Sequence, residues 1–359
     1  MEGDHIHINK WFLPLSWLYG AGTAFRNHLF DMDILKSRKF PIPVINVGNI
    51  TVGGTGKTPH IEFLIRLLEK HMQVAVLSRG YKRKSKGYVL ALPETPMEQI
   101  GDESWQVKRK FPHAHVAVDA NRCRGIERLL SDDATRNTQV ILLDDAFQHR
   151  YVEPGLNILL IDYHRLITED MLLPAGRLRE SASGIYRAHI VIVTKCPHGI
   201  TPMGYRVIIQ SLKLRPYQQL FFSTFKYGTL TQLFGEGTKR IEKLRAEEMH
   251  TLLLTGIGNP QQMEQDLRRH LQHIRTLSYP DHHYYTPQDV AHINKAFAAL
   301  PRPRIIITTE KDATKLKNLT GFSIEAAQNL YVLPTCVEFL RDESTTFNEN
   351  ILNYVHENP

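Results

Sequence analysis

Short continuous apolar runs, separated by stretches of helical periodicity, organise the first half of the chain. Val44-Ile45-Asn46-Val47, Val74-Ala75-Val76-Leu77, Val140-Ile141-Leu142-Leu143, Asn157-Ile158-Leu159-Leu160-Ile161 and Ile190-Val191-Ile192-Val193 scarcely alternate with polar residues. Runs of this kind suit strands covered on both faces, as in a parallel sheet. Between the first two, residues 59–71 place Ile61, Leu64, Ile65, Leu67 and Leu68 at helical spacing. Pro59 belongs in the first turn of that helix, where its missing N–H costs little. The order predicts a doubly wound, mostly parallel α/β domain whose ligands bind at the carboxyl ends of the strands.

A second set begins near residue 216. Leu220-Phe221-Phe222 and Thr231-Gln232-Leu233-Phe234 read as short strands, Leu252-Leu253-Leu254 and Ile305-Ile306-Ile307 as buried ones, and residues 288–300 as a helix. The expected organisation is an N-terminal segment over residues 1–30, a larger α/β domain over 31–215, and a smaller α/β lobe over 216–359 joined by short β structure. No internal repeat or low-complexity tract is evident. The basic run Tyr81-Lys82-Arg83-Lys84-Ser85-Lys86 reads as a mobile loop after a strand.

Composition narrows the picture modestly. At 359 residues, 42% hydrophobic and 23% charged, the chain is long enough for two cores and too apolar for global disorder. A net charge of +7 favours anionic partners, such as nucleotides or an acidic membrane surface. The basic residues are dispersed and not interleaved with aromatics, which argues against a nucleic-acid platform. Cys123, Cys196 and Cys336 lie far apart, so neither a disulfide framework nor a Cys-rich zinc site is expected, and a reducing compartment fits. No secretory signal is read. Residues 11–25 carry no charge, but a span takes about 20 apolar residues, and Pro14 and Gly20 interrupt these. The segment reads either as a helix in a membrane interface, with Trp11, Phe12, Trp17 and Tyr19 at headgroup depth, or as a terminal helix packed on the core.

The chemistry centres on Thr51-Val52-Gly53-Gly54-Thr55-Gly56-Lys57-Thr58, which follows one predicted strand and opens a helix. A phosphate loop needs backbone N–H groups turned inward, glycines for close approach, a lysine for the β- and γ-phosphates, and a hydroxyl for Mg²⁺. Gly53, Gly54, Gly56, Lys57 and Thr58 supply these, although Thr51 stands where the common pattern has glycine. Asp144 and Asp145 end a buried apolar run, as the metal-facing acids of such proteins do. Arg79, Arg122, Arg177 and Arg179 are candidates for clamping phosphate bidentately, and Thr194-Lys195 for touching a nucleotide base. A guanine-specific switch would carry Asn-Lys-x-Asp, which Val193-Thr194-Lys195-Cys196 does not provide.

Several segments, in order, resemble one family. Residues 47–59 are joined by Ser78-Arg79-Gly80-Tyr81, Gly101-Asp102-Glu103, Asp144-Asp145-Ala146-Phe147-Gln148-His149 and Leu173-Pro174-Ala175-Gly176-Arg177-Leu178-Arg179-Glu180. Gly256-Ile257-Gly258-Asn259-Pro260, Asp281-His282-His283 and Thr308-Thr309-Glu310-Lys311-Asp312 follow. Together they look like the tetraacyldisaccharide 4′-kinases, the lipid A 4′-kinases of Gram-negative bacteria, from about residue 43 to residue 315. Thr51 is part of that pattern. The resemblance implies ATP and Mg²⁺ as cofactors and a tetraacyldisaccharide 1-phosphate as acceptor, phosphorylated at its 4′-hydroxyl to give lipid IVA. It also implies a monomer at the cytoplasmic face of the inner membrane, with residues 11–25 as the associating helix. Lys57 and Thr58 would hold phosphates and Mg²⁺, Asp144 and Asp145 the metal. Asp102 would act as catalytic base with His282 as its partner, the lobes meeting over the active site. One departure stands out: Ala146 occupies a position where many members carry glycine. At a positive φ it would cost about 1 kcal/mol.

Overall fold

The computed structural model describes residues 8–257, 260–281 and 283–358. The chain divides into two compact units, one of residues 1–225 and 337–359, the other of residues 226–336.

In the first unit, α1 (Leu13–Asp31) precedes β1 (Val44–Gly48), α2 (Lys57–Leu68), β2 (Val74–Ser78) and β3 (Val89–Leu90). Then come α3 (Met97–Ile100), α4 (Asp102–Lys110), β4 (His115–Val118), α5 (Arg122–Ser131), β5 (Val140–Asp144), β6 (Leu156–Asp162), β7 (Ile190–Thr194), α6 (Pro202–Leu212) and β8 (Gln219–Tyr227). The second unit runs through β9 (Leu230–Gln232), β10 (Thr238–Lys239), α7 (Ile241–Ala246), β11 (His250–Thr255), α8 (Gln261–Arg268) and β12 (Ile274–Ser278). It continues with α9 (Pro287–Ala298), β13 (Arg304–Thr309), α10 (Glu310–Leu316), α11 (Ile324–Gln328) and β14 (Leu330–Leu333). The chain returns through β15 (Thr335–Phe339) and ends in α12 (Ser344–Glu357).

The first sheet has the order β15-β8-β7-β6-β1-β5-β2-β4-β3. Pairing from β8 through β4 is parallel, and β3 closes that edge antiparallel to β4. The expected buried runs are its central strands, fully buried over β1, β2, β5 and β7. The stripe Ile61, Leu64, Ile65 and Leu68 seats α2 against one face. The second sheet, β10-β9-β14-β13-β11-β12, is parallel from β12 to β14 and antiparallel at its β9–β10 edge.

Two expectations need correction. The lobe expected over 216–359 is shorter at both ends. Phe347, Ile351 and Val355 recur at one face of α12 and bury in the first unit's core with Phe221 and Phe339, where Phe339 stacks on Phe347 at 4.3 Å. That stripe outweighs chain order, so the C-terminus belongs with the first unit. The basic loop after β2 is pinned: the Arg83 guanidinium donates to the carbonyls of Gly87 (2.7 Å) and Val118 (3.2 Å).

The N-terminal helix packs on the core through one side. Ser16 and Phe30 are buried; the Ser16 hydroxyl donates to the Leu172 carbonyl at 3.0 Å and the Tyr19 hydroxyl to that of Arg179 at 2.7 Å. Its outer side leaves Trp17 71%, Leu18 71% and Phe25 65% exposed, and Trp11, in the 3-10 turn before it, is 93% exposed. No helix among the described residues is long and apolar enough to cross a membrane.

Candidate functional site

The glycine loop bridges β1 and α2 at the carboxyl edge of the first sheet. Gly53 (φ 124°) and Gly56 (φ 83°) take left-handed backbone, and a Cβ on Gly56 would lie 2.8 Å from the Phe225 ring. Thr51 explains its own presence. It is an isolated β-bridge partner of Leu178, flanked by Val52 N–H to Arg177 O (2.7 Å) and Arg179 N–H to Ile50 O (2.8 Å). An extended, paired position does not require glycine; the turn starts two residues later. Inside the loop, the Asn49 amide donates to the Thr55 hydroxyl at 2.9 Å and the Thr194 hydroxyl to the Thr55 carbonyl at 2.9 Å. Val52, Gly53 and Gly54 are exposed, whereas Lys57 and Thr58 are half-buried.

Parallel pairing of β1 with β5 sets Val47 beside Asp144, so both acids lie next to the loop's start. Asp145 adopts φ 51° and donates its N–H to Val47 O at 3.0 Å. The positive φ therefore falls on Asp145, which tolerates it, and Ala146 is silent. Lys57 Nζ lies 3.6 Å from Asp145 Oδ1, and Arg179 Nη1 lies 3.0 Å from Asp145 Oδ2. Burial pushes the Asp145 carboxyl up, but Lys57 and Arg179 outweigh it and hold the group below the usual range. Asp144 goes the other way: burial, then the charges of Glu103 and Asp145, push it up to about 7. Its Oδ1 is buried and accepts no hydrogen bond, and Asn49 Oδ1 and Arg122 Nε are likewise buried without partners.

The arginines separate. Arg122 is buried, donating to the carbonyls of Asp119 (3.0 Å) and Asp144 (3.3 Å), and burial lowers its pKa to about 10. Arg179 pairs with Asp145. Arg79 is exposed, though its charge bears on Arg122 and His149. Arg177 is exposed and contributes its backbone to the loop. Lys195, with φ 58°, pairs with Asp162 at 2.6 Å. Asp102 is the first residue of α4 and accepts the Glu103 N–H at 3.0 Å. His282 lies outside the described residues.

Sequence reasoning assigned no role to Glu103, although its charge is the leading electrostatic influence on Asp144 after burial. It also overlooked His60. That ring joins the Gly56 carbonyl (2.7 Å) to the Ser223 hydroxyl (3.1 Å) beneath the loop, and burial lowers its pKa to about 4. Its place three residues after Lys57, inside the helix, was the available signal.

A family profile described as tetraacyldisaccharide-1-P 4′-kinase, LpxK, matches residues 8–356. The tetraacyldisaccharide 4′-kinase of Phocaeicola vulgatus is 56% identical over 100% of this chain and 98% of its own length, and that of Bacteroides thetaiotaomicron 49% identical over 100% and 96%. Among solved structures, LpxK from Aquifex aeolicus, crystallised in complex with ATP, superposes with a TM-score of 0.71 at 30% identity, covering 96% of this chain and 98% of that one. The chain belongs to the tetraacyldisaccharide-1-P 4′-kinase family, and its activity is that of a tetraacyldisaccharide 4′-kinase in lipid A biosynthesis.

Proposed function

We propose that the donor is ATP, held at the glycine loop, and that its γ-phosphate passes to the 4′-hydroxyl of a tetraacyldisaccharide 1-phosphate with Asp102 as the proton acceptor. The observation that carries the donor site is the buried, unpartnered Asp144 oxygen beside a loop that starts α2 with left-handed glycines. Loop N–H groups would cradle the phosphates while Lys57, released from its 3.6 Å contact with Asp145, meets the β- and γ-phosphates. Arg122 and Arg179 line the same edge as further cations, with Arg79 and Arg177 farther out on exposed positions.

Mg²⁺ fits these residues. An oxygen anion with no hydrogen-bond donor is what a hard cation takes as a ligand, and Thr58 offers a hydroxyl from the first turn of α2. Among the described residues no group of three or more acids, histidines or cysteines forms a metal cluster unaided, so phosphate oxygens and water would complete the shell. When bound, Mg²⁺ would supply neutralisation of phosphate charge. Asp144 and Asp145 would hold it, with Glu103 nearby, and Asp102 would take the hydroxyl proton as the O–P bond forms, oriented by His282.

Acceptor specificity is tested directly. With radiolabelled γ-phosphate ATP and Mg²⁺, purified protein should convert the disaccharide 1-phosphate in detergent micelles to a labelled 1,4′-bisphosphate. ATP hydrolysis without labelled bisphosphate would sink the proposal.

The same reading places the chain peripherally on the cytoplasmic face of the inner membrane, docked by the exposed side of α1. Trp17, Leu18 and Phe25 on α1 and Trp11 just before it are exposed, while Arg26 is anchored on the Gln148 carbonyl at 3.1 Å. Because other α1 side chains tie into the core, point changes test docking better than deletion. Trp17→Glu with Leu18→Glu should reduce sedimentation with anionic liposomes about tenfold or more, since each buried aromatic or leucine side chain contributes about 1.5–3 kcal/mol. Melting temperature should not change. Unaltered sedimentation would reject α1 as the docking element.

A further inference from the structure

The helix that begins with Lys57 and Thr58 keeps a charge in a buried place. Glu62 of α2 has a side chain only 2% exposed, beside the apolar stripe that seats α2 on the sheet. Taking a carboxylate out of water is unfavourable unless it is paired and hydrogen-bonded, and an apolar side chain of similar volume often serves stability as well. A charge kept at this position therefore points to geometry: what Glu62 holds, and where.

It holds α4. Oε1 accepts the Gln106 side-chain amide at 2.9 Å, and Oε2 accepts the Lys110 ammonium at 2.6 Å. Arg66, one turn on in α2, lies 3.4 Å from the same oxygen and over the ring of Phe111, which follows α4. Asp102, Gln106 and Lys110 succeed one another at four-residue spacing, the spacing of neighbours along one side of a helix. Asp102 thus heads the row that Glu62 grips. The two helices also share a direction. α2 leads into β2 and α4 into β4, which pair in parallel, and Ile61, Leu64, Val107 and Phe111 lie in one core. Gln106 is four residues beyond Asp102, and Glu62 five beyond Lys57. At about 1.5 Å per residue, the tie sits about 6–8 Å along each axis from the two helix starts. It therefore sets both how far the start of α4 stands from the start of α2 and how α4 is turned about its own axis. Gly101 gives a second fixed point. Its φ is 84°, and a Cβ there would lie 2.8 Å from the Tyr81 carbonyl oxygen, so the backbone before Asp102 is seated on the loop after β2.

We propose that Glu62 is a positioning residue for Asp102, acting through Gln106 and Lys110. The inference rests on the reading of Asp102 as the proton acceptor. The helix that carries the donor's lysine also carries the carboxylate that orients the helix of the base, so donor and base are set against each other by one buried tie. A base displaced by an ångström loses rate, not ground-state binding of the donor.

The test is a double-mutant cycle on the full-length protein, measuring kcat and the KM for ATP with the disaccharide 1-phosphate in micelles. Glu62→Met keeps the length of the side chain and removes both acceptor oxygens. It should lower kcat about tenfold or more, with KM for ATP within about twofold. Glu62→Gln retains one acceptor oxygen and should recover part of the rate. In an Asp102→Asn background Glu62→Met should cost less than about twofold, because its effect runs through the missing carboxylate. An equal loss in both backgrounds, or a KM for ATP that rises as kcat falls, would make Glu62 a support of the glycine loop and overturns the inference. So does an undiminished rate in Glu62→Met alone. Full activity in Asp102→Asn alone marks the failure of the underlying reading, and the inference falls with it. Should Glu62→Met not fold, Gln106→Leu, at a half-buried position, enters the same cycle and is judged by the same outcomes.

Discussion

Asp102→Asn is expected to lower kcat by about 10²- to 10⁴-fold, the usual worth of a positioned general base, while ATP affinity stays within about twofold. The asparagine keeps the shape and can still accept the Glu103 N–H that the carboxylate accepts at 3.0 Å, so the start of α4 should survive. What disappears is a proton acceptor at the moment the sugar oxygen bonds to phosphorus. ATP binding is untouched because its phosphates are expected at residues 51–58, in a different loop. Turnover with the lipid acceptor and nucleotide affinity by calorimetry separate the two quantities. An equal loss of both would make Asp102 a structural residue of the helix start.

Asp144→Asn should cost at least about 100-fold in turnover, since charge stabilisation by a held metal is worth several kcal/mol. It should also stabilise the ligand-free protein. The Asp144 carboxyl is held at about 7 in the fold against an ordinary 3.8, so the native state keeps a proton that the unfolded chain has lost. Stability from this group is present below pH 3.8 and declines as pH rises towards about 7, with nothing further lost above it. Above pH 7 the native protein carries a buried carboxylate pressed by Glu103 and Asp145, and asparagine removes that burden. A gain on the order of 1–3 kcal/mol is expected there, vanishing near pH 4. Cation binding must displace the same proton, so the apparent Mg²⁺ affinity of the wild type should weaken as pH falls below 7. Thermal melts at pH 4.5 and 8, with and without Mg²⁺ and nucleotide, resolve the pattern. A ligand-free variant less stable than wild type at pH 8 would show that the Asp144 charge is compensated in the fold.

The Asp144 expectation joins a catalytic cost to a local energetic one, and the same trade appears across the site. Arg122 is a buried guanidinium with an unpartnered Nε, and Asn49 keeps an unpartnered carbonyl oxygen. Polar atoms left in this state disfavour the ligand-free protein and favour whatever satisfies them. The loop supplies the complementary economy. His60 and Thr194 bond to the carbonyls of Gly56 and Thr55, which leaves the N–H side of the turn for phosphate.

The sequence by itself determined the layered α/β architecture, because continuous apolar runs and a helical stripe record burial locally. It also located the glycine loop and the Asp144-Asp145 pair, since a left-handed turn and a strand-end acid each leave a signature within a few residues. Only the tertiary structure decided which groups press on one another. Glu103 acts on Asp144 from another element, Arg122 is buried while Arg177 is exposed, and α12 returns to the first core. The N-terminal helix shows the division most plainly. Its first thirteen residues carry no charge, and only packing against the Leu172 and Arg179 backbone decides that Ser16 faces the core while Trp17 and Leu18 are left outside. Hydrophobicity is read residue by residue, but the choice of buried side is made by partners far away in the chain, and no local pattern contains them.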